Sequence, residues 1–211
     1  MIKRLFASFV LVCSASYASA ATVEIDQSVS SLDNLYYADW GHWYTLPEDK
    51  ALANPDSNPA RAVSLSGSGF NFAGFDSLSI SASGMVVDHY GVATDANGDP
   101  HSPDWSFQGD YFRGQPVYSL IGIWSTSPDD IVPLGDPQAS VFFIGTSLQL
   151  TIPEATSLYL FLAENDGGFG DNSGSYDVHL SAVSAVPVPA AWTLFLSGVT
   201  GLQLVRRRRN A

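Results

Sequence analysis

One glycine-rich stretch of the chain carries side chains that could bind a metal ion. Residues 165–175 separate two apolar runs and combine four glycines with hard oxygen ligands, namely Asn165, Asp166, Asp171 and Asn172. Glycine readily adopts positive φ, so such a loop can turn sharply and point carbonyl groups inward. Calcium takes about six to eight oxygen ligands from carboxylates, amides and carbonyls. The pattern favours a calcium loop; the alternative is a metal-free turn, because Asn, Asp and Gly also dominate turns.

The runs around this loop have the pattern of β-strands. Residues 175–182 alternate cleanly, with an apolar face of Tyr176, Val178, Leu180 and Ala182. Short apolar or β-branched runs also lie at residues 78–82, 85–87, 117–124, 141–144, 148–152 and 158–162. Glycine, proline, serine and aspartate fill the gaps, and no helical periodicity persists in this part. We therefore expect an all-β domain over residues 21–186, an antiparallel β-sandwich, with residues 39–61 as a long loop.

Sequence motifs of catalysis are absent from the chain. There is no His-Glu-x-x-His, no Gly-x-Ser-x-Gly and no glycine-rich phosphate loop. The four histidines are scattered without the spacing of metal ligands. Residues 95–99 begin like an EF-hand loop, but Pro100 stands where that loop needs glycine, which predicts a turn. We expect no enzymatic activity, and a glycan hydrolase with paired carboxylates is the alternative.

The N-terminal residues have the layout of a secretory signal peptide. A basic start precedes the apolar run of residues 5–12, and a small-residue cleavage site follows at residues 18–20. We expect residues 1–20 to be removed by cleavage between Ala20 and Ala21.

The chain contains one cysteine, Cys13, which lies within this segment. A lipid-modified cysteine would be an alternative, but Val12 precedes it where a lipoprotein has a small residue. The processed chain therefore has no disulfide, and its fold depends on core packing or on a metal.

The last 25 residues have three parts with separate physical roles. Pro187 and Pro189 block continuation of a strand or helix and form a stiff spacer. Residues 190–205 are uncharged and would be about 24 Å long as a helix, slightly short of a bilayer core of roughly 30 Å. The arginines that follow resist translocation and stay on the cytoplasmic side: Arg206, Arg207, Arg208 and Arg209.

This combination resembles the PEP-CTERM sorting signal of exported bacterial proteins, in its Val-Pro-x-Pro-Ala-Ala variant. Val188 stands where the signal usually has glutamate. The resemblance implies transient anchoring in the inner membrane, processing by a sorting protease, and delivery to the cell surface, outer envelope or extracellular matrix of an exopolysaccharide-producing bacterium. A plain C-terminal membrane anchor is the alternative.

Charge is concentrated between the two terminal signals. All 21 acidic residues lie between Glu24 and Asp177, whereas six of the nine lysines and arginines belong to the signals. The remaining three basic residues are Lys50, Arg61 and Arg113, which gives the processed domain a net charge of −18. Such a charge excludes nucleic acid as a partner and suits a divalent cation or solubility outside the cell.

The calcium loop resembles one known family. Asn165-Asp166, glycines, an aromatic residue, residues 170–175 and an alternating strand are similar to the PA-IL type of calcium-dependent, galactose-binding bacterial lectins. The resemblance covers residues 158–180 and continues weakly at 87–91 and 99–101. It implies a small jelly-roll-like β-sandwich in which one calcium ion bridges the protein and two sugar hydroxyls.

The resemblance also implies individual roles. The calcium ligands would be the side chains of Asp166, Asp171 and Asn172 and the backbone carbonyls of Tyr90 and Gly168. The sugar would contact His101, Asp166 and Asp171, and Asp104 stands near the place of the family's glutamine. Asp171 replaces a usual asparagine, and the loop is about two residues shorter than in the family.

Together these features predict an exported surface or matrix protein that binds carbohydrate, galactose or another sugar, through calcium. Its partners would be an exopolysaccharide and, before processing, the membrane and a sorting protease. A structural matrix or adhesin domain, with a purely stabilising calcium or none, is the alternative. A lectin needs coordination positions open to solvent, whereas a structural site has none.

Overall fold

Short strands make up nearly all of the regular structure in the computed structural model, which describes residues 20–37, 42–43, 57–88, 90–102, 114–136, 139–166 and 168–184. The strands are β1 (Thr22–Ser30), β2 (Asp33–Asn34), β3 (Tyr36–Tyr37), β4 (His42–Trp43), β5 (Asn58–Pro59), β6 (Ser77–Val87), β7 (Ala93–Thr94), β8 (Leu120–Ser125), β9 (Val141–Phe143), β10 (Ser147–Thr151), β11 (Tyr159–Glu164) and β12 (Ser173–Val183). A 3-10 turn, Phe169–Asp171, lies between β11 and β12. For the described residues, the prediction of an all-β domain is confirmed.

The larger sheet joins the two ends of the described chain. Its order is β1-β12-β6-β10, and β7 pairs with the end of β6. β12 pairs with β1 from Thr22 opposite Val183 to Ser30 opposite Ser175, and with β6 from Ser77 opposite Val183 to Val87 opposite Ser173. All these pairs are antiparallel. Because of the strand order, the last strand of the sheet, β12, lies between its first strand, β1, and β6.

The alternation predicted for residues 175–182 is present in β12, whose apolar side chains are buried while Asp177 and His179 are exposed. The separate runs at 78–82 and 85–87 form one strand, β6. The run at 117–124 becomes a strand only from Leu120, because Tyr118 has a φ of 63°, outside the extended region.

A smaller antiparallel sheet has the order β11-β8-β9 and packs against the larger one. Apolar side chains from both sheets form one core cluster, to which the larger sheet contributes Ile25, Leu78, Ile80, Val178 and Leu180, and the smaller sheet Leu120, Trp124, Leu160 and Leu162. On its other side the smaller sheet contacts a second cluster that includes Leu35, Ala60, Ile121, Ile123 and Phe161. β8 and β11 are therefore buried on both faces.

This packing fixes the direction of the side chains of β11. Because strand side chains alternate, Leu160, Leu162 and Glu164 point to the same side, toward the core between the two sheets. Phe161 belongs to the other cluster. A carboxylate thus stands at the end of an otherwise apolar row, where the chain leaves the strand.

Several predictions fall outside the described residues. These are the signal peptide up to residue 19, Asp104, most of the loop at 39–61, and the whole C-terminal segment with Pro187, Pro189, the apolar run 190–205 and the arginines 206–209. Within the part of the chain that is described, no helix has the length and apolar character needed to cross a membrane.

Candidate functional site

Two carboxylates and one amide meet where β11 ends and β12 begins. The Asn172 Nδ2 group donates a hydrogen bond to Asp166 Oδ2 at 2.6 Å and another to Glu164 Oε2 at 3.2 Å. Glu164 has no exposed surface, and Asp166 is 6 % exposed. One amide therefore holds two buried acidic side chains that are separated by a single residue.

The turn between the strands brings Asn172 back to this position. Phe169 is buried and anchors the 3-10 turn, and the Asn172 backbone N–H donates to its carbonyl at 3.0 Å. β12 then starts with a sharp bend at Gly174, whose φ is 93°. A Cβ at this position would collide with the Met85 carbonyl of β6, so only glycine allows this approach of the strands.

Two oxygens of the cluster are buried without a hydrogen bond. Glu164 Oε1 and Asn172 Oδ1 have no hydrogen-bond donor among the described residues. A buried polar atom without a partner costs about 1–3 kcal/mol, and more if its group is charged. The cluster can therefore accept a positively charged group or a cation at low cost, because both oxygens lack a donor.

Burial also changes the acidity of Glu164. Loss of solvent raises the pKa of its carboxyl group well above the usual value, and the nearby charge of Asp166 raises that pKa further. The hydrogen bond from Asn172 lowers it, and Asp33 adds a small increase. Asp33 is itself largely buried, which raises its own pKa from 3.8 to about 6 against the opposing effects of the Ser30 backbone N–H and Arg61. A cation beside Glu164 would relieve this repulsion.

Two more carboxylates approach the same place from the surface. The pKa of the Tyr118 phenol is raised by burial and by the charges of Asp166, Asp88, Glu164 and Asp171, in that order. Tyr118 is tied to the site through its backbone, because its N–H donates to the Asn165 carbonyl at 2.7 Å. The charges of four acidic side chains therefore reach one phenol at this end of the sheets.

The β6–β7 turn lies at the same end. Val87 at the end of β6 is opposite Ser173 at the start of β12, so Asp88 and Asn172 follow and precede these strands at the same edge of the sheet. Asp88 Oδ1 accepts hydrogen bonds from the backbone N–H groups of Tyr90 and Val92, both at 2.9 Å. This turn presents an exposed Tyr90 side chain.

The residues predicted from the sequence are partly brought together. Asp166 and Asn172 are joined directly, and Asp171 lies nearby on the exposed side of the 3-10 turn. Gly168 is exposed at the start of that turn. His101 is exposed, and its Nδ1 lies 3.1 Å from Asp99 Oδ1, a pairing that the resemblance does not include.

Residues 95–99 form a turn as expected, in which the Asn97 N–H donates to Asp95 Oδ1 at 2.8 Å. This turn is connected to the site by the buried Tyr176, whose hydroxyl donates to the carbonyls of Asp95 and Tyr118.

Glu164 is the member of the site that sequence reasoning missed. A signal was present, since Leu158, Leu160 and Leu162 occupy alternate positions and Glu164 continues the same row. A carboxylate that ends a buried apolar row needs a partner, because burial of an unpaired charge is costly.

The candidate site combines two carboxylates with amide and carbonyl oxygens. Across the described ranges, no three His, Cys, Asp or Glu side chains are grouped closely enough to hold a metal by themselves. Any cation here would therefore depend on Asn172 and on backbone carbonyls as well, which is a set that calcium accepts. No protein-family model matches this chain, and no curated protein is significantly similar to it in sequence.

Proposed function

We propose that this chain is an exported protein that binds calcium at the β11–β12 turn and uses the ion to hold a carbohydrate. The observation that carries the proposal is the buried pair Glu164 and Asp166, bridged by Asn172, with Glu164 Oε1 and Asn172 Oδ1 lacking hydrogen bonds. Two carboxyl groups buried side by side repel each other when ionised, and a divalent cation is the simplest group that neutralises both.

The ligands would come from two sides of the ion. Glu164, Asp166 and Asn172 supply side-chain oxygens from the protein interior, the asparagine after its amide turns over so that oxygen replaces nitrogen. Asp171 and the carbonyls of Gly168 and Tyr90 supply the surface side, as the resemblance to PA-IL-type lectins implies. This set would reach the number of oxygen ligands that calcium takes.

A sugar would complete the coordination from the surface. Asp171 and Gly168 are exposed, so hydroxyl groups of a glycan can approach the ion from their side. The resemblance implies galactose, a jelly-roll-like arrangement of the strands, and further sugar contacts from His101 and Asp104. The protein then binds the sugar without catalysis.

Export to the surface or extracellular matrix follows from the two terminal signals. The first strand starts at Thr22, directly after the expected cleavage site at Ala20 and Ala21, and the last strand ends at Val183, before the PEP-CTERM-like segment. Both signals can therefore be removed without loss of any strand that the structure describes. An exopolysaccharide in the matrix is the proposed partner.

A structural matrix or adhesin domain is the second candidate. Complete burial of Glu164 favours it, because an ion enclosed by protein ligands stabilises a turn without offering positions to a sugar. The two candidates agree on calcium binding and differ on the sugar.

Thermal unfolding of the purified protein tests both steps. We expect added calcium to raise the melting temperature above that in EDTA, and galactose to raise it further only when calcium is present. Asp166→Ala should abolish both shifts, whereas Asp129→Ala, which removes an exposed carboxylate elsewhere, should leave them intact. Calcium stabilisation without any galactose effect would support the structural domain, and absence of a calcium effect would overturn the proposal.

A further inference from the structure

The outer face of the larger sheet is covered by small polar and acidic side chains. Strand pairing aligns them in rows across the sheet: Asp26, His179, Ser81 and Ser147 form one row, and Glu24, Ser181, Ser79 and Gln149 form the next. A chain laid across these strands meets a polar side chain about every 4.8 Å, the distance between neighbouring strands and on the scale of one sugar ring.

Two shallow depressions cross this face and share His179 and Ser81. One, of about 620 Å³, extends over β1 to Asp26 and Ser28, and the other, of about 340 Å³, extends over β10 to Gln149. They meet above β6, where short serine side chains stand between the longer ones of β12 and β10. The two depressions together extend across four strands, and the pair is called the outer trough below.

The floor of the outer trough has a composition that strand stability does not explain. Alternate residues of β6 on this face are serines: Ser77, Ser79, Ser81 and Ser83. Strands are stabilised by β-branched and aromatic side chains, which pack across the pleated surface, and serine contributes little of this. A row of hydroxyl groups does, however, provide donors and acceptors to a polar ligand.

Asp26 at one end of the outer trough, and Glu24 beside it on β1, are held in place. Asp26 Oδ1 lies 2.7 Å from His179 Nδ1, and Glu24 Oε2 lies 3.2 Å from His179 Nε2. The hydroxyl of Ser181 donates to Glu24 Oε1 at 2.8 Å. The Asp26 side chain is nevertheless 87 % exposed, so it can receive a ligand without rearrangement.

The charge of this face selects the class of ligand. Three acidic side chains, Glu24, Asp26 and Asp177, outnumber His179 on this face. The sole lysine or arginine among the described residues, Arg61, lies outside the strands of this sheet. Carboxylated or sulfated glycans would be repelled. Ammonium groups would be attracted to the carboxylates, while sugar hydroxyls would pair with the serines and Gln149.

We propose that the outer trough is a second glycan site, independent of calcium, that binds a polysaccharide with free amino groups such as a glucosamine polymer. The proposal rests on the outer face of the larger sheet and does not require the calcium site at the β11–β12 turn. The calcium site and the outer trough would then each bind a different part of the matrix.

Calorimetric titration with a glucosamine hexasaccharide in EDTA tests the outer trough. We expect binding in EDTA and at least about tenfold weaker binding of the N-acetylated hexasaccharide, since it lacks the charge. The double variant Asp26→Asn/Asp177→Asn should also bind at least about tenfold more weakly. Ser81→Trp, which fills the shared part of the trough, should prevent binding.

The matched control is the double variant Asp129→Asn/Glu154→Gln, which loses the same charge at two exposed positions elsewhere. It should bind the glucosamine hexasaccharide as the unmodified protein does. Absence of binding in EDTA, equal weakening by the control, or equal binding of an acidic oligosaccharide would each overturn the proposal. Asp166→Ala, which removes the proposed calcium site, should leave this binding unchanged.

Discussion

Two pairs of carboxylates in this protein have the same arrangement and opposite surroundings. On the outer face, Glu24 and Asp26 are two residues apart on β1, and His179 of β12 bridges them. All three side chains are at least half exposed, with His179 at 51 %, Glu24 at 52 % and Asp26 at 87 %. Water and the imidazole satisfy these charges, so the pair contributes little to stability.

The second pair, Glu164 and Asp166, is also two residues apart, and Asn172 from the start of β12 bridges it. Here both carboxylates are buried, the bridging group is neutral, and two oxygens lack a donor. The comparison shows that neither the two-residue spacing of the carboxylates nor the side chain that bridges them distinguishes a solvated surface cluster from the proposed cation site. Burial does, because it removes the water that would otherwise neutralise the charge.

The largest expected difference between the pairs concerns calcium. At a free calcium concentration a thousandfold above Kd, binding should add about 4.1 kcal/mol to the free energy of unfolding. Glu164→Gln should remove most of this gain while stabilising the calcium-free protein, since it neutralises a buried charge. Glu24→Gln is the matched control on the outer face and should retain the gain. Thermal melts of the two variants with EDTA and with calcium measure these effects. If calcium stabilised Glu164→Gln as much as the unmodified protein, the two pairs of carboxylates would not differ in calcium binding.

A somewhat smaller effect is expected from pH on the calcium-free protein. Asp33 has a pKa of about 6 in the folded protein against 3.8 ordinarily, and Glu164 is shifted in the same direction. A raised carboxyl pKa means that the folded state binds the proton more tightly, so stability is greatest near and below the usual pKa. It then falls as pH rises through about 6.

The Asp33 contribution to this fall should be roughly 3 kcal/mol at most. Denaturant unfolding in EDTA from about pH 4 to about pH 8 measures it. Asp33→Asn should flatten the profile, because the amide does not titrate and can still accept the Ser30 N–H. An unchanged slope in that variant would mean that Asp33 titrates normally. The hydrogen bond to Asp26 also raises the pKa of His179, so this histidine stabilises the folded state less as pH rises. His179→Gln removes that contribution and is the variant with which Asp33→Asn is compared.

The smallest effects should come from the two bridging side chains in the calcium-free protein. Asn172→Ala leaves two buried carboxylates without their shared donor and should lower the free energy of unfolding by about 2 kcal/mol. His179→Ala should cause no measurable change, because water replaces the exposed imidazole. Denaturant unfolding of both variants in EDTA measures the two changes. A larger loss of unfolding free energy in His179→Ala than in Asn172→Ala would mean that the exposed pair depends more on its bridging side chain than the buried pair does.

The sequence was most informative where one face of a strand is buried and the other is exposed. Alternation at residues 175–182 was sufficient to predict β12, because Tyr176, Val178 and Leu180 need an apolar neighbour and Asp177 and His179 need water. The pairing of β12 with β1 is not readable from this pattern, since any amphipathic strand could have been the neighbour. The break before Leu120 was also hidden, because nothing in the composition predicts a positive φ at Tyr118.

The candidate site was predictable only in its loop. Asp166 and Asn172 stand close in sequence among glycines, so their meeting follows from a tight turn. The approach of Asp88 depends on the pairing of β6 with β12 over many intervening residues. The pattern assigns Glu164 to a strand, but its burial depends on the packing of both sheets at β11, which the pattern does not show.

The position of β12 between β1 and β6 also determines when the protein can acquire its fold. β1 is made first, but its partner is the last strand of the described chain, so the ladder cannot form until synthesis has passed Val183. Contacts that distant close slowly, and during the delay β1 presents an unpaired edge to other chains. Glu24 and Asp26 place two negative charges on β1 while it is unpaired, and charge on an open strand edge discourages pairing with other chains. We therefore expect the same two carboxylates, which contribute little to the finished fold, to reduce aggregation of the unfinished one.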